Sequence, residues 1–232
     1  MHRSELIQLL LDKKDNSRYL EIGIKRCDNL FRIKSKVKVG VDPAYQICRK
    51  YKFKKAFGFE KVELYRKYSD DFFNENPDGI LNLGFNVVFI DGLHNFQQSL
   101  NDTLNSLKYI SHDGFIILHD CNPISEARAT PVERSYDEIQ VKIENNEIEG
   151  WDGGWNGDVW KTIIYLRSIR SDLEIFTIDS DQGLGVIKFG DSQLLPFNKF
   201  EEVKVLDYQF LEKDRKNLLN LVSPSEGLAR LK

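Results

Sequence analysis

Two apolar runs in this chain end in ionisable residues. Phe85-Asn86-Val87-Val88-Phe89-Ile90 runs into Asp91-Gly92-Leu93-His94, and Phe115-Ile116-Ile117-Leu118 runs into His119-Asp120. Short β-branched and aromatic runs of this kind read as buried strands. Asp91 and His94 are three residues apart at a strand-to-helix turn, a spacing that lets both side chains face one cleft. Asp120 arrives from the neighbouring strand. Two carboxylates on adjacent strand ends suit a hard cation such as Mg²⁺, which takes oxygen ligands. A cation there could bind a substrate hydroxyl and favour its ionised form. His94 is then the candidate base, a role worth about 10²–10⁴ in rate. His119 reads as a metal ligand, as an orienting partner or as a packed histidine bonded to backbone; its neighbours in the chain leave the three open.

Other strand ends carry related signals. Arg18-Tyr19-Leu20-Glu21-Ile22 stops at Gly23, where the lack of a Cβ lets a ligand approach the backbone. Val37-Lys38-Val39-Gly40-Val41 stops at Asp42, about 20 residues further on, where an acid can accept hydrogen bonds from both ribose hydroxyls. The pair fits a nicotinamide dinucleotide or S-adenosylmethionine. A dinucleotide needs Gly-x-Gly-x-x-Gly for its pyrophosphate, and Gly23 is followed by Ile24-Lys25-Arg26-Cys27-Asp28, so the dinucleotide is disfavoured. The Tyr51 and Lys55 match to a short-chain dehydrogenase pair sits too early in the chain and is read as chance.

These residues need a scaffold that brings strand ends to one edge. A short helix over Leu6–Leu11 is expected first, then a strand at 18–23, an irregular helix at 28–35, a strand at 37–42, a weak helix at 44–54 and a weak strand at 62–67. A helix opens near Ser69 or Asp70, which serve as its N-cap. The strand at 85–90 precedes a strong helix from Asn95 to Ile110, broken by Asp113-Gly114 before the strand at 115–118. Pattern is lost over 121–160, a stretch holding Trp151, Trp155 and Trp160. A loop this long inside a compact domain is usually functional. A helix at 158–170 follows, then an antiparallel hairpin of 173–178 and 185–189, and a polar tail with a helix at 208–221. Strands alternating with helices predict a parallel sheet with right-handed crossovers and helices on both faces. In such sheets ligands lie at the carboxyl ends of the strands.

Composition excludes some partners. A net charge of −3 gives no electrostatic case for nucleic acid or an anionic membrane. The basic runs at Lys34–Lys38 and Arg49–Lys55 read as solvated faces. Three widely spaced cysteines, Cys27, Cys48 and Cys121, argue against a disulfide framework or zinc site and for a reducing cytosol. The run Leu6–Leu11 is too short and too closely flanked by charges for a signal peptide or a membrane span.

The segments Tyr19–Gly23, Gly40–Pro43, Ser69–Phe73, Val88–His94 and Gly114–Asp120 together resemble class I S-adenosylmethionine-dependent methyltransferases. The nearest likeness is a small bacterial group related in its metal motif to macrolide-sugar O-methyltransferases and, further off, to catechol O-methyltransferase. Trp155–Lys161 and Arg215–Leu221 are similar to that group as well. The resemblance implies a Rossmann-like, doubly wound sheet of seven strands, mostly parallel with an antiparallel last strand. It implies S-adenosylmethionine as methyl donor, with Glu21 and Gly23 at its methionine end, Asp42 on the ribose and Ser69 and Asp70 by the adenine. Asp91 contributes to that cofactor site. Asp91, His119 and Asp120 are the implied ligands for Mg²⁺, where a metal is used, and His94 the base. Cys27 stands where the family has a glycine. The acceptor is expected to be a small molecule, a sugar or glycoconjugate, with Trp155, Asp158 and Lys161 as contacts. Residues 1–190 would form the catalytic domain, 121–160 a segment covering the acceptor, and 191–232 a helical tail that packs on the domain or on a second subunit. Methylation of a nitrogen, or a binding protein that has kept the fold without catalysis, are the competing readings.

Overall fold

Alternation of short apolar strands with helices holds along the chain in the computed structural model, which describes residues 1–47, 51 and 61–231. In chain order the elements are α1 (Arg3–Leu11), β1 (Arg18–Ile22), α2 (Asp28–Arg32), β2 (Val37–Val41), β3 (Lys61–Tyr65), α3 (Ser69–Glu75), a 3₁₀ segment (Pro77–Leu83) and β4 (Phe85–Ile90). Then come α4 (Phe96–Leu107), β5 (Ile110–Leu118), α5 (Tyr136–Glu144), α6 (Trp160–Ile169), β6 (Leu173–Ile178) and β7 (Leu184–Phe189). The tail holds α7 (Phe200–Lys204), α8 (Tyr208–Leu218), β8 (Leu221–Val222) and α9 (Pro224–Arg230). The strands make one eight-stranded sheet in the order β3-β2-β1-β4-β5-β7-β6-β8. This is the expected α/β, Rossmann-like arrangement, mostly parallel with an antiparallel hairpin. Strand order reverses between β1 and β4, the switch point where such folds bind ligands.

Contacts divide the chain into two units, Met1–Gly92 with Asn101–Ile117, and Leu93–Leu100 with Leu118–Lys232. In the first, α1 buries Leu6, Ile7, Leu10 and Leu11, a single face at helical spacing. β1 pairs in parallel with β2 and with β4, and Ile22 sits level with both Val41 and Ile90. That register sets Gly23, Asp42 and Asp91 one step beyond three neighbouring strand ends. Val87 to Ile90 are all buried, the near-continuous apolar run expected of a parallel strand covered on both faces. In the second unit, α6 buries Trp160, Ile163, Ile164 and Leu166, while β6 and β7 pair antiparallel from Leu173↔Phe189 to Ile178↔Leu184. Among the described residues no helix is long and apolar enough to cross a membrane.

Three elements differ from expectation. The expected tail helix at 208–221 stops at Leu218; Asn220 turns left-handed (φ +45°), and Leu221 and Val222 join β6 as an eighth, parallel strand. Two residues are too few to show a period. Asp113-Gly114 does not separate a helix from a strand, because β5 already begins at Ile110. The stretch 121–160 contains α5, opened by a Ser135–Glu138 capping box. Its apolar residues Ile139, Val141 and Ile143 alternate as in a strand, which hides the helical period. Most of the expected helix at 44–54, with Lys55 of the dehydrogenase-like pair and the basic run around it, lies outside the described residues.

Candidate active site

The end of β1 is built by close backbone approach. Gly23 has φ +86°, and a Cβ built on it would overlap the carbonyl group of Asp91 at the end of β4. Beyond Gly23 the chain curls back: Cys27 N–H donates to Ile24 O, and Gln46 N–H donates to Lys25 O. Lys25 and Cys27 are both left-handed, at φ +41° and +62°. Glycine adopts that conformation freely, whereas another residue gives up about 1 kcal/mol there; Cys27 does so while fully buried at the start of α2. Asp42 accepts from Ala44 N–H at 2.7 Å and from Lys25 N–H at 2.8 Å, which fixes its carboxylate and leaves lone pairs for other donors.

Glu21 lies beneath this curl. Its side chain is buried and accepts from the Tyr19 hydroxyl at 2.6 Å and from Asn29 Nδ2 at 3.0 Å. Burial pushes its carboxyl up to about 7, against the pull of those two donors. Burial and the neighbouring Glu21 likewise push the Tyr19 phenol well above its ordinary value. Arg3 of α1 holds Asp91 Oδ2 at 2.8 Å, with both side chains about one-fifth exposed. Ser69 and Asp70 are the first two residues of α3; Tyr68, rather than either of them, occupies the cap position. Asp70 and Asp71 set acidic groups in the first turn, where the helix dipole favours them.

The histidines meet a single carboxylate. Asp120 follows β5 with φ +61°, 1% exposed, and its Oδ2 lies 3.2 Å from His94 Nε2 and 2.7 Å from His119 Nδ1. His94 Nδ1 faces the carbonyl oxygen of Trp155 at 3.2 Å, and the two rings stack with centroids 4.8 Å apart. Both ring nitrogens of His94 therefore face acceptors, and a neutral ring can donate to only one of them. His119 Nε2 approaches Asp181 at 3.6 Å.

The sequence of residues 21–121 matches a family model described as a methyltransferase domain. Over that stretch, which holds the ends of β1, β2 and β4, the chain is similar to a methyltransferase domain. No curated protein sequence matches it. Among solved structures, the chain is similar to a Staphylococcus aureus protein assigned as a caffeoyl-CoA O-methyltransferase, at 13% identity and a TM-score of 0.53, covering 81% of this chain and 82% of that one. It is also similar to the S-adenosylhomocysteine-bound Podospora anserina methyltransferase PaMTH1, at 15% identity and a TM-score of 0.52, covering 82% and 78%. At these identities the likeness is one of fold.

Of the residues singled out in the sequence, Glu21, Gly23, Asp42 and Asp91 occupy level ends of β1, β2 and β4. His94, His119, Asp120 and Trp155 form one contact group. Asp158 and Lys161 bond to the chain itself: Asp158 accepts from Phe96 N–H at 2.7 Å, and Lys161 Nζ lies 3.4 Å from Asp158 and donates to Lys204 O at 2.8 Å. Sequence reasoning passed over Arg3, Asn156, Asp181 and Gln182. Asn156 Nδ2 donates to Asp120 Oδ1 at 3.2 Å and to Gln182 O at 3.1 Å. Asn156 lies inside Trp155–Lys161, a stretch already noticed for its likeness to the family, but a lone asparagine carries no spacing signal. Arg3 is invisible from sequence because its partner lies 88 positions away.

Proposed function

We propose that this enzyme transfers a methyl group from S-adenosylmethionine to a hydroxyl of a small molecule, a sugar or similar compound. The contact between His94 Nε2 and Asp120 Oδ2, 3.2 Å, carries the reading. With Nδ1–H donated to the Trp155 carbonyl, Nε2 of the neutral ring holds a lone pair beside a carboxylate. Proton uptake by Nε2 turns that approach into a charge-assisted hydrogen bond, which is what makes the ring a good base. The acceptor oxygen attacks the methyl carbon, the carbon–sulfur bond breaks with its electrons passing to sulfur, and the hydroxyl proton goes to His94.

The cofactor assignments follow from the strand ends. Gly23 gives backbone access, Asp42 has lone pairs for the ribose hydroxyls, and Glu21 and Asp91 set acidic groups for the cationic methionine end. Ser69 and Asp70 would lie by the adenine. Carboxylates such as those of Asp91 and Asp120 are the ligand type a hard divalent cation takes. Asp91 and Asp120 would hold such a cation, with His119 behind Asp120; when bound, it would favour the ionised acceptor hydroxyl. Trp155 and the half-exposed Tyr136, ring centroids 5.6 Å apart, offer flat apolar faces of the kind that pack on sugar rings. On this reading 1–190 is the catalytic domain, 121–160 covers the acceptor, the tail 191–232 supports the domain or a second subunit, and the buried cysteines Cys27 and Cys121 suit the cytosol.

Calorimetry with S-adenosylhomocysteine tests the reading directly. Saturable binding is expected, with His94→Ala lowering kcat by about 10²–10⁴ while leaving that affinity within about twofold. No heat of binding at millimolar ligand would remove the proposal.

A further inference from the structure

His94 and Asp120 are gripped from one short stretch, Trp155-Asn156-Gly157-Asp158. The Trp155 carbonyl faces His94 Nδ1, and its indole stacks on the imidazole. Gly157 packs so tightly on His94 that a Cβ would overlap the histidine's carbonyl oxygen; its φ is +60°. Asp158 accepts from Phe96 N–H at the start of α4, just after His94. Asn156 takes the other member of the pair, donating from Nδ2 to Asp120 Oδ1. Trp155, Asn156 and Gly157 thus each touch a different part of the pair, and Asp158 fixes the chain just beyond His94.

Asn156 is the informative member. It is fully buried, and its backbone N–H donates to Arg128 O at 2.8 Å. Its Nδ2 bridges Asp120 Oδ1 and the carbonyl of Gln182, a residue in the β6–β7 turn with φ +65°. Its Oδ1 has no hydrogen-bond partner among the described residues. A buried amide oxygen left so is costly, and an apolar residue of the same shape would avoid that cost. The donor end is therefore what the position requires, and the donor end points at Asp120.

We propose that Asn156 is a positioning residue that fixes the carboxylate of Asp120. The last torsion of an aspartate is broad, and Asp120 sits on a left-handed backbone just beyond β5. Holding Oδ1 on the Asn156 amide leaves Oδ2 turned to His94 Nε2 and His119 Nδ1. The inference rests on the reading of His94 and Asp120 as the reacting pair, and concerns how that pair is kept in register.

A double-mutant cycle of Asn156→Ala and Asp120→Asn tests it. The readouts are kcat and the ring N–H shifts of His94 and His119 at one fixed pH. Asn156→Ala is expected to lower kcat by about 10–100-fold, the usual effect of losing an orienting partner. The acceptor KM and the Kd for S-adenosylhomocysteine stay within about twofold. In the Asp120→Asn background the same change is expected to move neither kcat nor the shifts, because residues acting as one unit are not additive. Additive losses, or histidine shifts in Asn156→Ala equal to those of the wild type, overturn the proposal. Should Asn156→Ala fail to fold, Asn156→Leu keeps the volume, removes the donor and is read in the same way. The shifts report on Asn156 even in a protein without turnover, so failure of the methyl-transfer reading and failure of this one are told apart.

Discussion

Gly23 at the end of β1 rests against the carbonyl group of Asp91 at the end of β4, with no room for a Cβ between them. The contact sits at the reversal of strand order, so it sets how the two central strands end. Gly23→Ala adds both a steric overlap with backbone and a side chain at φ +86°. A loss of at least about 2 kcal/mol in unfolding free energy is expected, together with a tenfold or greater weakening of S-adenosylhomocysteine binding. Denaturant unfolding and calorimetry check the two parts separately. Alanine at this position with full stability and affinity would mean the strand ends can part freely.

Glu21 makes folding depend on pH. Its carboxyl lies near 4.5 when unfolded and at about 7 when folded, raised by burial. Between those values the folded protein holds a proton that the unfolded chain has released. Stability is therefore fully present below about pH 4.5, falls as pH rises to about 7, and levels off above it. The loss is on the order of 3 kcal/mol. Glu21→Gln should flatten that part of the stability profile. A cationic cofactor group beside Glu21 favours the carboxylate, so binding near pH 7 should release a proton. The binding enthalpy would then vary with the ionisation enthalpy of the buffer, and the variation should vanish in Glu21→Gln.

Much of this was readable because parallel strands leave long apolar runs and end sharply. Ile22-Gly23, Val41-Asp42, Ile90-Asp91 and Leu118-His119-Asp120 each mark a change from buried to polar within a residue or two, and the register sets the first three level. The contacts that hold the chemistry together left no such trace. Arg3 and Asp91 meet from opposite ends of a unit, and Asn156 meets Asp120 across a long intervening segment. Side-chain partnership at that separation follows from tertiary packing, which periodicity does not encode. The left-handed backbone at Asp120, Asp181 and Gln182 was equally hidden, since none is a glycine.

Trp155 supports His94 in two ways that mutation can separate. Its ring stacks on the imidazole, and its indole N–H donates to the Thr130 carbonyl at 2.8 Å. Trp155→Phe keeps a stacking face and loses the donor; Trp155→Ala loses both. An aromatic pair is worth about 0.5–1.5 kcal/mol beyond its area. A roughly tenfold fall in kcat is expected for Trp155→Ala, and a threefold or smaller one for Trp155→Phe. Steady-state kinetics beside thermal melts check this. Equal losses in both variants would assign the role to the Thr130 bond instead of the stack.

Arg3 sets a second condition on any cation at Asp91. Its guanidinium holds Asp91 Oδ2 at 2.8 Å and lies 6.0 Å from the centre of the Phe89 ring, so α1 is tied to the end of β4 by charge and by stacking. A divalent ion that takes the same oxygen must displace or share with that arginine. A partly exposed pair of this kind is worth up to about 1 kcal/mol, so Arg3→Ala should tighten Mn²⁺ or Mg²⁺ binding by about two- to fivefold. Asp91→Asn should weaken it at least tenfold. Chelator-treated enzyme is expected to lose turnover and regain it with Mg²⁺. Turnover that survives chelation, with metal affinity unmoved by Arg3→Ala, would leave His94 and Asp120 as a proton-accepting pair that works without a cation.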